Sequence, residues 1–104
     1  VRTVAETPLF ARYAADVWSD AERLEFIDWI AAHPESGDVI PGSGGCRKVR
    51  WSTRGIGKRG GARVIYFLER EHTIWLLIVY TKAKFDTLPV EFVAKLRQGI
   101  EDAL

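Results

Sequence analysis

Seven cations and no anion stand between residues 42 and 68: Arg47, Lys48, Arg50, Arg54, Lys58, Arg59 and Arg63. Crowding like charges costs self-repulsion wherever the segment folds, and the usual compensation is a polyanionic partner. The plain alternatives are a solvated stretch or pairing with acids elsewhere in the chain. Residues 1–41 sum to −5 and residues 69–104 to −1, so the overall net charge of +1 conceals the segregation. Within the block, Lys48 and Arg50 alternate with Val49 and Trp51, which puts the two cations on one face of a strand. Arg63 opens the next apolar run. If the two runs pair as a hairpin, Arg63 reaches the same face, and Lys82, at the end of the last apolar run, closes the group. Cations converging on one sheet face suit a phosphate: Arg offers planar bidentate contacts and Lys a point charge. The competing reading is that each side chain reaches outward independently.

Residues 53–61 (Thr-Arg-Gly-Ile-Gly-Lys-Arg-Gly-Gly) contain a literal G-x-G-x-x-G. As a dinucleotide fingerprint it fails, because a β-branched and aromatic run follows it where a helix is required. Nor is it a Walker loop: Ser52 stands at the first glycine position and Arg59 follows the lysine in place of Ser or Thr. The segment reads as a hairpin loop whose glycines admit close backbone approach to a phosphate, with Arg54, Lys58 and Arg59 supplying charge. A simple flexible connector is the competing reading.

Other chemistry is sparse. His33 ends a helix and His72 sits in a turn, both outside the basic block. The single cysteine, Cys46, forms neither an internal disulfide nor a zinc-binding pair, which fits a reducing cytoplasm. No metal or cofactor is expected. Proton transfer near the block falls to Lys, Tyr or the substrate; crowded cations favour the neutral form of an amine, so a lysine base is chemically open. Trp51, Tyr66, Trp75 and Tyr80 raise base stacking, but aromatics in strands are usually core. Tyr80 is retained because it shares strand parity with Lys82.

The elements that must position these residues follow from periodicity. Residues 2–7 read as an opening strand. Thr7-Pro8 is an N-cap followed by proline at the first helical position, and Leu9, Tyr13 and Val17 form a stripe with Phe10 and Ala14 beside it. Ser19 and Glu22 make a capping box for a second helix. Its expected buried face is Ala21, Leu24, Ile27 and Ala31, widened by Phe26 and Ile30, and His33-Pro34 ends it. Residues 34–45, with two prolines and four glycines, read as a loop. Three strands follow, around 48–51, 62–68 and 73–82, and Asp86-Thr87-Leu88-Pro89 starts a last helix along Phe92, Val93, Leu96 and Ile100. The order β-α-α-β-β-β-α with short strand links predicts an α+β domain: an antiparallel sheet with helices packed on it.

The 104 residues suffice for one domain, 1–104, and 47% hydrophobic with 28% charged residues excludes a disordered chain. The longest apolar run, Ile74 to Tyr80, is strand-length, so no membrane-spanning helix is expected. No secretory signal is evident at the N-terminus, and Val1 fits either a GUG start or a trimmed first residue.

Three segments together carry a resemblance. Gly42-x-Gly44-Gly45-x-Arg47-Lys48-x-Arg50, then Gly57-Lys58-x-Gly60-Gly61-x-Arg63-Val-Ile-Tyr66, then Leu76-Leu77-x-Val79-Tyr80-x-Lys82, resemble the RelE/HigB-like toxins of bacterial type II toxin–antitoxin systems, nearest the HigB-like branch. With the helices the resemblance covers nearly the whole chain. It implies a cytoplasmic, ribosome-dependent mRNA endonuclease (an mRNA interferase) that blocks translation without metal. In that family the substrate 2′-OH attacks the scissile phosphate, leaving a 2′,3′-cyclic phosphate and a 5′-OH. A cognate antitoxin of helix-turn-helix type, the ribosome and mRNA are the implied partners; DNA is met only through the antitoxin, and no membrane is involved. By position, the resemblance implies catalytic roles for Lys48, Arg50, Arg63 and Lys82, with Arg63 on the phosphorane and Lys48 or Lys82 taking the 2′-OH proton. RNA binding falls to Arg47, Arg54, Lys58, Arg59, Tyr80 and Lys84. Two departures stand out: Ala83 and Lys84 occupy positions where close relatives commonly carry Asn-Glu, and Phe85 cannot ionise where some members place a late tyrosine. The alternatives are a non-catalytic RNA- or ribosome-binding module, a degenerate toxin, or a basic face serving an acidic partner peptide.

Overall fold

The computed structural model describes residues 2–52, 61–69 and 73–103. In chain order the elements are β1 (Thr3–Glu6), α1 (Pro8–Val17), α2 (Asp20–Ala32), β2 (Asp38–Val39), β3 (Cys46–Trp51), β4 (Ala62–Leu68), β5 (Thr73–Thr81) and α3 (Val90–Ala103). They form an α+β domain on a five-stranded sheet in the order β1-β5-β4-β3-β2. Strands β2 to β5 pair antiparallel, as short links dictate, whereas β1 pairs parallel with β5, Thr3 opposite Thr73. The sheet is therefore mixed rather than wholly antiparallel. A parallel pair needs a long crossover, which the two helices and three strands between β1 and β5 provide.

Both predicted helix starts are present. The Thr7 hydroxyl accepts from the Phe10 N–H at 3.1 Å, and Pro8 opens α1. Ser19 and Glu22 form the reciprocal capping box, with bonds of 2.8 and 3.2 Å. Thr7 has a second task at a β-bulge. Ile65 faces Ile78 and Tyr66 faces Leu76, so Leu77 is an extra residue on β5. The Thr7 hydroxyl donates a proton shared between the Leu76 carbonyl at 2.9 Å and the Leu77 carbonyl at 3.1 Å. One side chain thus ties the start of α1 to the bulge. Because β1 pairs only with Thr73–Leu76, α1 runs along the remainder of β5 and sends side chains into both cores.

The first core joins Phe10, Ala14, Trp18, Phe26 and Ile30 to Val49, Val64, Tyr66, Ile74, Leu76 and Val79 on one sheet face. The second joins Val93 and Ile100 of α3 to Cys46, Ile65, Leu77, Ile78 and Tyr80 on the other. Helix α2 departs from the expected face: Phe26 and Ile30 are buried, Ile27 and Trp29 are half-buried, and Leu24 is 52% exposed. Apolar residues surround this helix, so periodicity leaves its orientation open. The face carrying Phe26 and Trp29 turns inward, where the rings meet Trp18 and Trp51 at centroid distances of 4.8 to 5.6 Å; aromatic rings bury the most area per residue. Helix α3 begins at Val90, with the Pro89 carbonyl accepting from Phe92 and Val93.

The segment 34–45, expected to be a plain loop, contains β2. Its preceding turn is pinned by Tyr66, whose hydroxyl donates to the Pro34 carbonyl (2.8 Å) and accepts from the Gly37 N–H (2.9 Å). Only glycine fits at 37, since a Cβ there would lie 2.9 Å from the Tyr66 ring and hydroxyl. The turn into β3 uses Gly42, Gly44 and Gly45 at φ of 78°, 83° and 99°, conformations that L side chains rarely adopt. Buried Ser43 fastens this turn, donating to the Ile40 carbonyl (2.6 Å) and accepting from the Cys46 N–H (3.0 Å). Among the described residues, no helix is long and apolar enough to cross a membrane.

Candidate nucleic-acid interface

The pairing register brings the central cations together. Arg50 lies directly opposite Arg63 across β3 and β4, and Arg63 lies opposite Tyr80 across β4 and β5. Lys48 lies opposite Ile65, two residues along from Arg50 on the same face. Directly opposed side chains in an antiparallel pair have Cβ atoms about 4.5–5.5 Å apart, and diagonal neighbours about 7–8 Å. Lys48, Arg50 and Arg63 therefore share one small area of sheet. Lys48 and Arg50 are exposed and Arg63 is half-buried. Lys82 follows the last residue of β5 and is exposed; it stands in the turn closed by the Lys84 and Phe85 N–H groups on the Thr81 carbonyl, at the end of β5 that pairs with Ala62 and Arg63.

Like charges directly opposite one another oppose folding. Here α3 covers the Cys46, Ile65 and Ile78 part of this face, and the Arg50–Arg63 part is left accessible. The face thus divides into an apolar half that builds the core and a cationic half that meets solvent.

Two expected RNA contacts are revised. Arg47 points to the opposite sheet face, where its guanidinium donates to the Gly37 carbonyl at 2.8 Å and the Glu35 carbonyl at 3.4 Å. It braces the turn before β2, and its odd position on β3 separates it from Lys48 and Arg50. Tyr80 is 1% exposed, beneath Phe85, whose ring meets it edge-on at 6.0 Å. Its ring has no free face for a base. Burial pushes the Tyr80 phenol above its ordinary value of 10.0, partly offset by the positive charge of Arg63. Tyr80 is therefore a neutral floor beneath Arg63 at physiological pH. Lys84 is exposed and sits over the Tyr13 ring at 5.8 Å. Arg54, Lys58 and Arg59 lie outside the described residues.

One residue of the face was not anticipated. Asp38 on β2 lies directly opposite Lys48, which places a carboxylate in register with the cations. The signal for it was slight: Val39-Ile40, a β-branched pair between Gly37 and Pro41, is all that marks a strand there. Among the described residues, no group of three or more His, Cys, Asp or Glu side chains is placed to hold a metal ion.

The architecture, a mixed sheet with α2 on one core, α3 on the other and α1 contributing to both, is a RelE-like α+β fold. The chain superposes on the E. coli toxin RelE, solved as a mutant in the free state, with a TM-score of 0.61 and 15% sequence identity, covering 92% of this chain and 96% of that one. No protein-family model matches the sequence.

Proposed function

We propose that the protein is a toxin of a type II toxin–antitoxin system, a ribosome-dependent mRNA interferase. The observation that carries this reading is the register that sets Arg50 against Arg63, with Lys48 beside them, on an accessible sheet face of a RelE-like fold. A concentrated cationic patch on a sheet binds and orients a phosphodiester through its non-bridging oxygens.

In the reaction, the 2′-oxygen of one nucleotide attacks its own 3′-phosphorus. The P–O2′ bond forms, the P–O5′ bond breaks, and the products are a 2′,3′-cyclic phosphate and a 5′-hydroxyl. Negative charge builds on the phosphorane oxygens in the transition state, and Arg63, supported by Arg50, stabilises it. Donors held in place before the reaction act most strongly there, and losing one costs about 10²–10³ in rate. Lys48 or Lys82 accepts the 2′-OH proton, and a protonated group returns one to the departing 5′-oxygen. Tyr80, neutral and buried, supports Arg63 from below. Its phenol is held in the form that cannot accept a proton.

In this reading the ribosome presents the message, and the remaining basic side chains of the block, Arg54, Lys58 and Arg59, bind flanking phosphates or ribosomal RNA. A cognate antitoxin of helix-turn-helix type holds the protein inactive. The experiment is inducible expression in a bacterial host. Wild type arrests growth and Arg63→Ala relieves the arrest while accumulating to the same soluble level. Harmless wild-type expression, with no cleavage of translated messages, would leave a non-catalytic RNA-binding module.

A further inference from the structure

Continuing from Tyr80, the structure reaches a second cationic and aromatic cluster. The chain turns sharply after β5, where the Lys84 and Phe85 N–H groups both donate to the Thr81 carbonyl, at 3.0 and 3.1 Å. This turn lays the Phe85 ring against Tyr80 on one side and stacks it on Tyr13 of α1 on the other, at a centroid distance of 6.2 Å and an interplanar angle of 28°. Two exposed cations flank the Tyr13 ring: Arg12 at 6.0 Å and Lys84 at 5.8 Å. Among the described residues, neither makes an ion pair. Beside them opens an apolar groove of about 360 Å³ whose walls include Tyr13, Phe85, Leu88 and Phe92. Phe92 is 39% exposed on that wall.

The combination points to one kind of occupant. An apolar, ring-lined groove accepts a flat base, and cations on its rim accept the phosphate attached to it. The cluster is also continuous with the cationic face, through Arg50–Arg63 and Arg63–Tyr80 in register and then the Tyr80–Phe85–Tyr13 ring contacts. We infer that the groove and its rim, Arg12 with Lys84, form a second RNA seat that takes the base and phosphate of one unpaired nucleotide flanking the cleaved linkage. The inference rests on the RNA-directed reading above. Arg12 adds to the RNA surface a residue from the acidic first third of the chain, which charge blocks alone would assign away from RNA.

The test is fluorescence anisotropy with a short labelled single-stranded RNA whose 2′-hydroxyls are methylated, titrated against KCl. Arg12→Ala/Lys84→Ala is expected to flatten the slope of log affinity against log salt by about 0.7, the value for one single-strand phosphate. Phe92→Ala is expected to weaken binding by about fivefold or more at each salt concentration and leave the slope unchanged. All three side chains are exposed, and thermal melts confirm that the variants fold. If both variants match wild type while Arg50→Ala/Arg63→Ala flattens the slope, the seat is overturned and the main RNA face stands. Failure of wild type to bind the RNA removes both. Loss of binding to a polyglutamate peptide in Arg12→Ala/Lys84→Ala, with RNA binding intact, would assign the rim to an acidic protein and overturn the inference.

Discussion

Arg50 and Arg63 are directly opposed across β3 and β4, two positive charges on one sheet face with no acid between them in the register. Such a pair opposes folding by roughly 0.2–1 kcal/mol. An anionic ligand that binds between them relieves that repulsion. The pair is therefore a place where stability and ligand binding pull in opposite directions.

Replacing one member should separate the two effects. Arg50→Thr, a β-tolerant change, is expected to raise unfolding free energy by about 0.2–1 kcal/mol in urea while weakening RNA binding. A less stable variant would show that the two guanidinium groups do not oppose each other in the folded chain.

Asp38 lies across β2 and β3 from Lys48 in the pairing register, and a carboxylate at that position lowers the positive potential of the face. Asp38→Asn removes that charge, and RNA affinity should rise about two- to fivefold at low salt, with the gain shrinking as salt screens the face. Cleavage should persist. Tighter binding accompanied by lost cleavage would instead place Asp38 in proton transfer.

The turn that positions β2 depends on one hydroxyl. Tyr66→Phe leaves the Gly37 N–H and the Pro34 carbonyl without their partner, and the expected loss is about 1–3 kcal/mol in denaturant unfolding. Hydrogen exchange at Gly37 should accelerate with it. An unchanged midpoint would mean that the turn is held by Arg47 alone, through its bonds to Glu35 and Gly37.

Alkaline stability follows from two buried acids. Burial raises the Cys46 thiol above its ordinary value of 9.0, offset in part by Ser43 and Arg97, and raises the Tyr80 phenol above 10.0, offset in part by Arg63. Both groups stay protonated in the folded chain at pH values where the unfolded chain has released its protons. The unfolded state then binds fewer protons, so stability falls as pH rises past 9 and again past 10. Thermal unfolding across pH 7 to 11 should show the decline, and Tyr80→Phe should flatten its upper part. A midpoint constant through pH 11 would contradict the burial of both groups.

The caps were legible in the sequence because they are local: Thr7 with Pro8 and Ser19 with Glu22 announce α1 and α2 within four residues. The cationic face was legible because strand parity groups Lys48 with Arg50, and a hairpin brings Arg63 across. What parity could not supply was which parts of a face are covered. Tyr80 shares its face with Arg63, yet the return of Phe85 after the Thr81 turn seals it. The parallel pairing of β1 with β5 joins residues as far apart as Thr3 and Thr73, and no local pattern encodes it. Strand β2 has two residues, too few for an alternation to show.

The most direct test of the central claim is a reconstituted translation reaction with the purified protein, in which the 5′ ends of the message are mapped. Wild type is expected to cut the translated message, leaving 5′-hydroxyl ends and 2′,3′-cyclic phosphates, and Arg63→Ala to cut about 10²–10³ more slowly while still folding. Cleavage at the wild-type rate by Arg63→Ala, or an intact message with wild type, would contradict the account.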